Sequence, residues 1–133
     1  MNDDEHMSVR DGIAAARTET GRRRYREVMM ADAPPPLTPF LEHGVVNAVF
    51  GELWDRPGLS RRDRRLLSLA CAAAGAVDEP VQQHVYAALA SGDISREEFQ
   101  EVVLHIAYYA GWPRASALEL AYYKAIARID AQT

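Results

Sequence analysis

"DEPVQQHVYAALASGDISREEFQEVVLH", Asp78 to His105, carries two helix signals back to back, and its reading decides the fold. Val81, Val85 and Ala88 share one helical face with His84 among them, and Pro80 stands in the first turn, where its missing N–H costs little. Asp78 reads as the N-cap and Gly92 as the stop. "SREE", Ser95 to Glu98, is a full capping box; Phe99, Val102, Val103 and Ile106 follow as an apolar stripe that closes near Ala110 and Gly111.

The same signals recur outward from this stretch. Upstream, Ser60 caps a helix with Asp63 three residues on, Leu66, Leu67, Leu69 and Ala70 form its buried side, and Gly75 stops it. Before it, a helix is expected from Pro39 to Trp54, with Phe40, Leu41, Gly44, Val45, Ala48, Val49 and Leu53 as its apolar positions and "DRPGL" as its end. The prolines of "ADAPPPLTPF" fix an extended connection. Gly12 to Met30 reads as one helix or two, with Gly21 as the point of a break, and Met1 to Asp11 as a polar, flexible tail. Downstream, a last helix starts at Pro113 and turns Leu118, Ala121, Tyr122 and Ile126 inward. No segment alternates with period two, so the expected fold is all-α, a compact bundle of five to six helices, with one domain over residues 12–133 behind a tail at 1–11.

Composition narrows the function classes. With 133 residues, 48% of them hydrophobic, the chain can bury a core of its own. A net charge of −4 and a pI near 5.5 argue against a nucleic-acid or anionic-membrane partner. "RRRYR", Arg22 to Arg26, is flanked by Glu19 and Glu27 and reads as a solvated helix face. A lone cysteine, Cys71, excludes a disulfide within the chain and any CxxC framework, and it reads as a small buried thiol in a reducing compartment. There is neither a secretory signal nor a membrane-length apolar run, so the cytoplasm is the expected location.

Three groups of residues could carry chemistry. His84 on an apolar face is either a satisfied core histidine or an imidazole able to move a proton in a dry pocket. Glu101, His105, Tyr108 and Tyr109 lie on neighbouring strips of one helix, where a carboxylate one turn before a histidine can fix its tautomer, or merely form an exposed pair. "GELWDRPGLSRRDRRLLSLA" places Trp54 beside Arg56, Arg61, Arg62, Arg64 and Arg65, and guanidinium groups pair bidentately with carboxylates, so an organic acid is a fitting ligand. A metal on His84, Glu101 and His105 lacks any tightly spaced ligand signature, and no metal site is expected. Nucleophile elbows and phosphate loops are missing from the sequence.

Taken together, "FGELWDRPGLSRRDRRLLSLA", His84 with "VYAALASGDISREEFQEVVLH" after it, and "AYYAGWPRASA" resemble the carboxymuconolactone decarboxylase family, within the all-helical alkylhydroperoxidase D-like superfamily. The likeness runs from about Phe40 to Ala127. It implies a helical subunit assembled as a homo-trimer or homo-hexamer, and a cofactor-free carboxy-lyase acting on a small lactone or cyclic organic acid in aromatic breakdown or biosynthesis. On that resemblance His84 transfers a proton, Glu79, Glu101 and His105 are further catalytic candidates, and Trp54, Arg56, Arg64, Tyr108 and Tyr109 are candidates for holding substrate. The peroxidase branch uses a CxxC pair before the matching histidine, which "DEPVQQH" lacks. The decarboxylase branch has a glutamate one turn before it, where this chain has Pro80. Either Glu79 reaches back from the helix start, or Glu101 and His105 take over, or the reaction has changed; a non-catalytic oligomeric binding protein is the alternative from another class.

Overall fold

The computed structural model describes residues 3–35 and 38–133, with side chains from residue 9 onward. Among the described residues there are six helices and no strand: α1 (Asp3–Met29), π1 (Phe40–Leu53), α2 (Arg61–Gly75), α3 (Asp78–Ala90), α4 (Arg96–Ala110) and α5 (Trp112–Ala131). The fold is all-α, as the periodicity predicts. By its contacts the chain forms two compact units, Met1–Pro57 and Gly58–Thr133. No helix among the described residues is long and apolar enough to cross a membrane.

The first unit is an α1–π1 pair. Tyr25, Val28 and Met29 of α1 are buried, as are Val46 and Phe50 of π1 and Trp54 at its end. Tyr25 meets Phe50 edge-on at 4.8 Å between ring centroids, and Phe50 stacks on Trp54 at 6.0 Å. Gly21 does not break α1. It lies within the unbroken helix because π1 passes close by: a Cβ there would sit 2.7 Å from Val46 Cγ1 and would clash with the Val46 carbonyl oxygen. α1 also extends back to Asp3, through residues read as a tail; residues 9–17 are all exposed, so that part of the helix is solvated. Met1, Asn2, Pro36 and Leu37, and with them parts of the expected tail and proline connection, lie outside the described residues.

The helix expected over Pro39–Trp54 forms, but with i→i+5 bonds, as in Trp54 N–H to the Val49 carbonyl at 3.0 Å. That change of pitch moves the buried stripe. Phe40 is 75% exposed and Leu53 47%, whereas Val46, Asn47, Phe50 and Trp54 are buried. In "RRRYR" only Tyr25 is buried; Arg24 pairs with Glu27 and Asp55, and Arg26 with Asp32.

The second unit packs α2, α3, α4 and α5 around Leu69, Val81, Val85, Ile94, Phe99 and Leu118. Ser60 caps α2 by accepting the Asp63 N–H at 3.0 Å. Ser95 and Glu98 complete the capping box of α4, with both bonds at 3.0 Å. Leu67, expected inside, is 56% exposed, and Cys71 is exposed as well. The buried stripe of α2 runs Arg65, Leu69, Ala73, and positions 67 and 71 lie off it. α2 ends at Gly75 as read, but the left-handed residue is Ala76, φ 54°, and the extended Val77 becomes the N-cap of α3. Asp78 therefore moves from cap to first turn, where its charge and that of Glu79 favour the helix dipole. α5 begins one residue before Pro113, at Trp112.

Candidate active site

α2 supplies the electrostatics of the second unit. Arg65 occupies the buried stripe that Leu69 and Ala73 continue, and its side chain is 1% exposed. Its Nε donates to Asp93 Oδ2 at 2.6 Å. One turn earlier, Arg61 grips the same carboxylate with two bonds, Nε to Oδ2 at 2.6 Å and Nη2 to Oδ1 at 2.8 Å.

The α3–α4 turn brings Asp93 to this position. Gly92 takes φ 77°, Ser91 Oγ donates to the Ala88 carbonyl and accepts the Asp93 N–H, and the Ile94 N–H returns to the Ala88 carbonyl. Bonds from Arg61 and Arg65 hold the Asp93 carboxyl down at about 2, against the opposing effect of burial. Burial lowers the pKa of Arg65, which its bond to Asp93 counters.

His84 stands half-buried on α3. Its pKa is lowered, first by burial and second by the charge of Arg65, so it stands as the neutral imidazole near pH 7. The sequence reading places Arg65 only within the arginine cluster and does not single out Asp93. The available signal is a guanidinium four residues before Leu69 and eight before Ala73, on a stripe meant to be buried.

The other candidates fall in different places. Glu101 and His105 come together in a groove of about 540 Å³ between α2 and α4, with Leu66, Ala70, Val102 and Ile106 as its floor. Its rim also holds Arg62, whose guanidinium is paired with Glu98. Glu98 is held below the usual carboxylate range by the Ser95 backbone N–H and by Arg62. His84 is not among the residues of this groove. Glu79 lines another cavity, about 240 Å³ between α3 and α5, with Lys124 and Arg128. Five positions separate Glu79 from His84, about 140° around a helix, so the two acids nearest Pro80 do not share the face of His84.

Tyr108 and Tyr109 are 80% and 83% exposed. Tyr109 stacks on His105 at 4.7 Å between ring centroids, and Tyr108 lies 6.0 Å from Trp112. Arg64 is half-buried on α2. Trp54 and Arg56 belong to the first unit, Trp54 buried against Phe50 and Arg56 exposed, with its N–H on the Leu53 carbonyl at 3.2 Å. Among the described residues, no three His, Cys, Asp or Glu side chains gather as a metal site would require, so His84, Glu101 and His105 do not form one.

Comparison with known proteins matches this sequence to a family. Residues 39–122 match the model of the carboxymuconolactone decarboxylase family. Over 68 residues, 51% of this chain, the sequence is 35% identical to 4-carboxymuconolactone decarboxylase of Acinetobacter baylyi, and it spans half of that enzyme's length. Over 112 residues, 84% of this chain and 77% of the relative, it is 30% identical to the nitrosuccinic acid decarboxylase npaB of Metarhizium robertsii. The family match takes in π1, α2, α3, α4 and the first half of α5, and so every residue around His84 described above. The chain belongs to the carboxymuconolactone decarboxylase family.

Proposed function

We propose that this protein is a carboxy-lyase that removes carbon dioxide from a small polycarboxylic acid, with His84 as the proton-transfer residue. The observation that carries this reading is His84 itself: a half-buried imidazole whose pKa is lowered by burial and then by the charge of Arg65, inside the matched segment of a family, with two similar relatives both named decarboxylases. Their two named substrates share a chemical property. A nitro group or an unsaturated lactone can accept the electron pair left when a carboxylate departs, so the substrate supplies its own electron sink and the reaction asks the protein for no cofactor.

The protein then has three tasks. A cation must orient the acid, an apolar wall must weaken hydration of the departing carboxylate, and a proton must reach the carbon. Burial and the charge of Arg65 favour neutral His84. A bound polycarboxylate adds negative charge, which favours the imidazolium. The carbon–carboxylate bond breaks with its electron pair delocalised into the sink, carbon dioxide leaves, and the imidazolium gives its proton to the carbanion. Neutral His84 recovers a proton from solvent.

Pro80, standing where the family's decarboxylase branch places a glutamate, supports a changed substrate over the lactone acid itself. The wider likeness to the nitrosuccinic acid enzyme supports it too. A homo-oligomer, trimer or hexamer, is part of the proposal and is supported by the exposed aromatics Tyr108, Tyr109 and Trp112. The proposed setting is the cytoplasm.

The test is carbon dioxide release by the purified chain from 4-carboxymuconolactone, nitrosuccinate and a panel of small lactone and unsaturated acids. Turnover that falls at least about a hundredfold in His84→Ala is expected. Binding without turnover of any of these acids would replace the enzyme with the non-catalytic binding protein.

A further inference from the structure

Opposite charges share the wall of the α3–α5 cavity without meeting. Lys124 and Arg128, one turn apart on α5, line it together with Glu79, Gln82, Gln83 and Tyr86 of α3. Arginines elsewhere in the chain, Arg61, Arg62 and Arg96 among them, close on carboxylates. Among the described residues Lys124, Arg128 and Glu79 form no ion pair, although all three line one cavity of about 240 Å³. Arg128 is held by a ring instead. Its guanidinium carbon lies 3.8 Å from the ring centroid of Tyr86, which is buried and whose hydroxyl donates to Gln132 Oε1 at 3.2 Å. A guanidinium over a ring face keeps its N–H edge for an oxyanion. Glu79, Gln82, Gln83, Lys124 and Arg128 are all exposed, so a ligand in the cavity reaches each of them.

We propose that this cavity is a binding site for a small amino dicarboxylic acid, whose two carboxylates meet Lys124 and Arg128, whose ammonium meets Glu79, and whose remaining oxygens accept from the side-chain amides of Gln82 and Gln83. Two cations facing one carboxylate call for the reverse pattern in the ligand. An acidic amino acid has that pattern. A plain dicarboxylate turns negative charge toward Glu79, and a monocarboxylate leaves one cation unmet. The volume lies below the range of about 300–1,000 Å³ found for drug-sized ligands, which suits a molecule this small. Residues 79, 82, 83 and 86 span about 100° of α3, and His84 lies about 100° beyond them. Occupancy is therefore read by binding, independently of decarboxylation and of the reading above.

The experiment is NMR titration of the isotope-labelled full chain with L-aspartate, L-glutamate, succinate and acetate, following the side-chain amides of Gln82 and Gln83, with folding of each variant checked by circular dichroism. Aspartate or glutamate should give a saturable shift, at least about tenfold tighter than succinate, and acetate weaker still. Whichever amino acid binds more tightly fixes the chain length of the ligand. Lys124→Gln and Arg128→Gln should each weaken it at least about tenfold. Glu79→Gln should weaken the amino acid and tighten succinate, a reversal that a merely structural carboxylate would not produce.

No saturable shift with either amino acid overturns the proposal, as does succinate binding as tightly as both. Folded Lys124→Gln with wild-type affinity overturns it as well, and this variant decides the matter if Arg128→Gln, deprived of its seat on Tyr86, does not fold. An unchanged preference in Glu79→Gln overturns the place given to the ammonium and with it the ligand class.

Discussion

Arg65 and Asp93, 28 positions apart in the chain, meet through Nε and Oδ2 at 2.6 Å, with the arginine side chain 1% and the aspartate side chain 16% exposed. The pair makes the second unit sensitive to acid. The Asp93 carboxyl is depressed from 3.8 to about 2 in the folded chain. Its contribution is therefore fully present above about pH 4 and is lost as the pH falls toward 2. A shift of that size corresponds to about 2 kcal/mol. Urea unfolding should show Asp93→Asn less stable than wild type by at least about that amount at pH 7, with the gap closing by pH 2.

His84 acts in the same sense at higher pH. Its folded pKa lies below 6.5, so the unfolded chain binds the proton more readily, and the His84 contribution to stability falls as the pH drops below 6.5. NMR titration of its ring should place the midpoint below 6.5. Arg65→Gln should move it up toward 6.5 but not all the way, because burial is the larger cause.

His105 provides the contrast. It lies with Glu101 in the α2–α4 groove, stacked on an exposed tyrosine, apart from Arg65 and Asp93. His105→Ala should keep decarboxylation within about threefold of wild type, while His84→Ala loses at least about a hundredfold. The reverse ranking in the same assay would move the chemistry to the groove.

Gly21→Ala should destabilise the first unit although alanine is the better helix former by about 1 kcal/mol. The added methyl would meet Val46, both its carbonyl oxygen and its Cγ1, the latter at 2.7 Å. Overpacking of this kind costs about 1–3 kcal/mol, so thermal melting should show a net loss.

The exposed aromatics test self-association. Tyr108 and Tyr109 stand almost fully in solvent on a single subunit, so replacing both by serine would barely affect a monomer's stability. Sedimentation should instead show the double variant shifted to a smaller species; an unchanged sedimentation profile would remove these residues from the proposed contact.

Helix boundaries were the most legible part of the sequence, because caps are local. Ser60, Ser95 with Glu98, and Gly92 act where their residue types say they should. Errors arise where a neighbour or a change of pitch overrides the local signal. Gly21 reads as a break until π1 is beside it, and Phe40 reads as core until the helix winds with i→i+5 bonds. At the candidate site His84 could be found from its apolar setting, but not the residue that acts on it. Arg65 is one of five arginines in ten residues, and only the partner 28 positions away separates it from the rest.

That separation has a consequence for assembly of the fold. The Arg65–Asp93 bond cannot form until α3 has folded back along α2 and its closing turn is in place. Until then α2 carries a charge on its apolar stripe. Sliding α2 by one turn along α3 would seat Arg61 near the Arg65 position and carry Arg65 to where Leu69 packs, stranding a guanidinium within the apolar core cluster. Apolar helices rich in alanine, such as "LACAAAGA", offer many nearly equivalent sliding positions. The cation disfavours them, because a slide of one turn takes Arg65 away from Asp93.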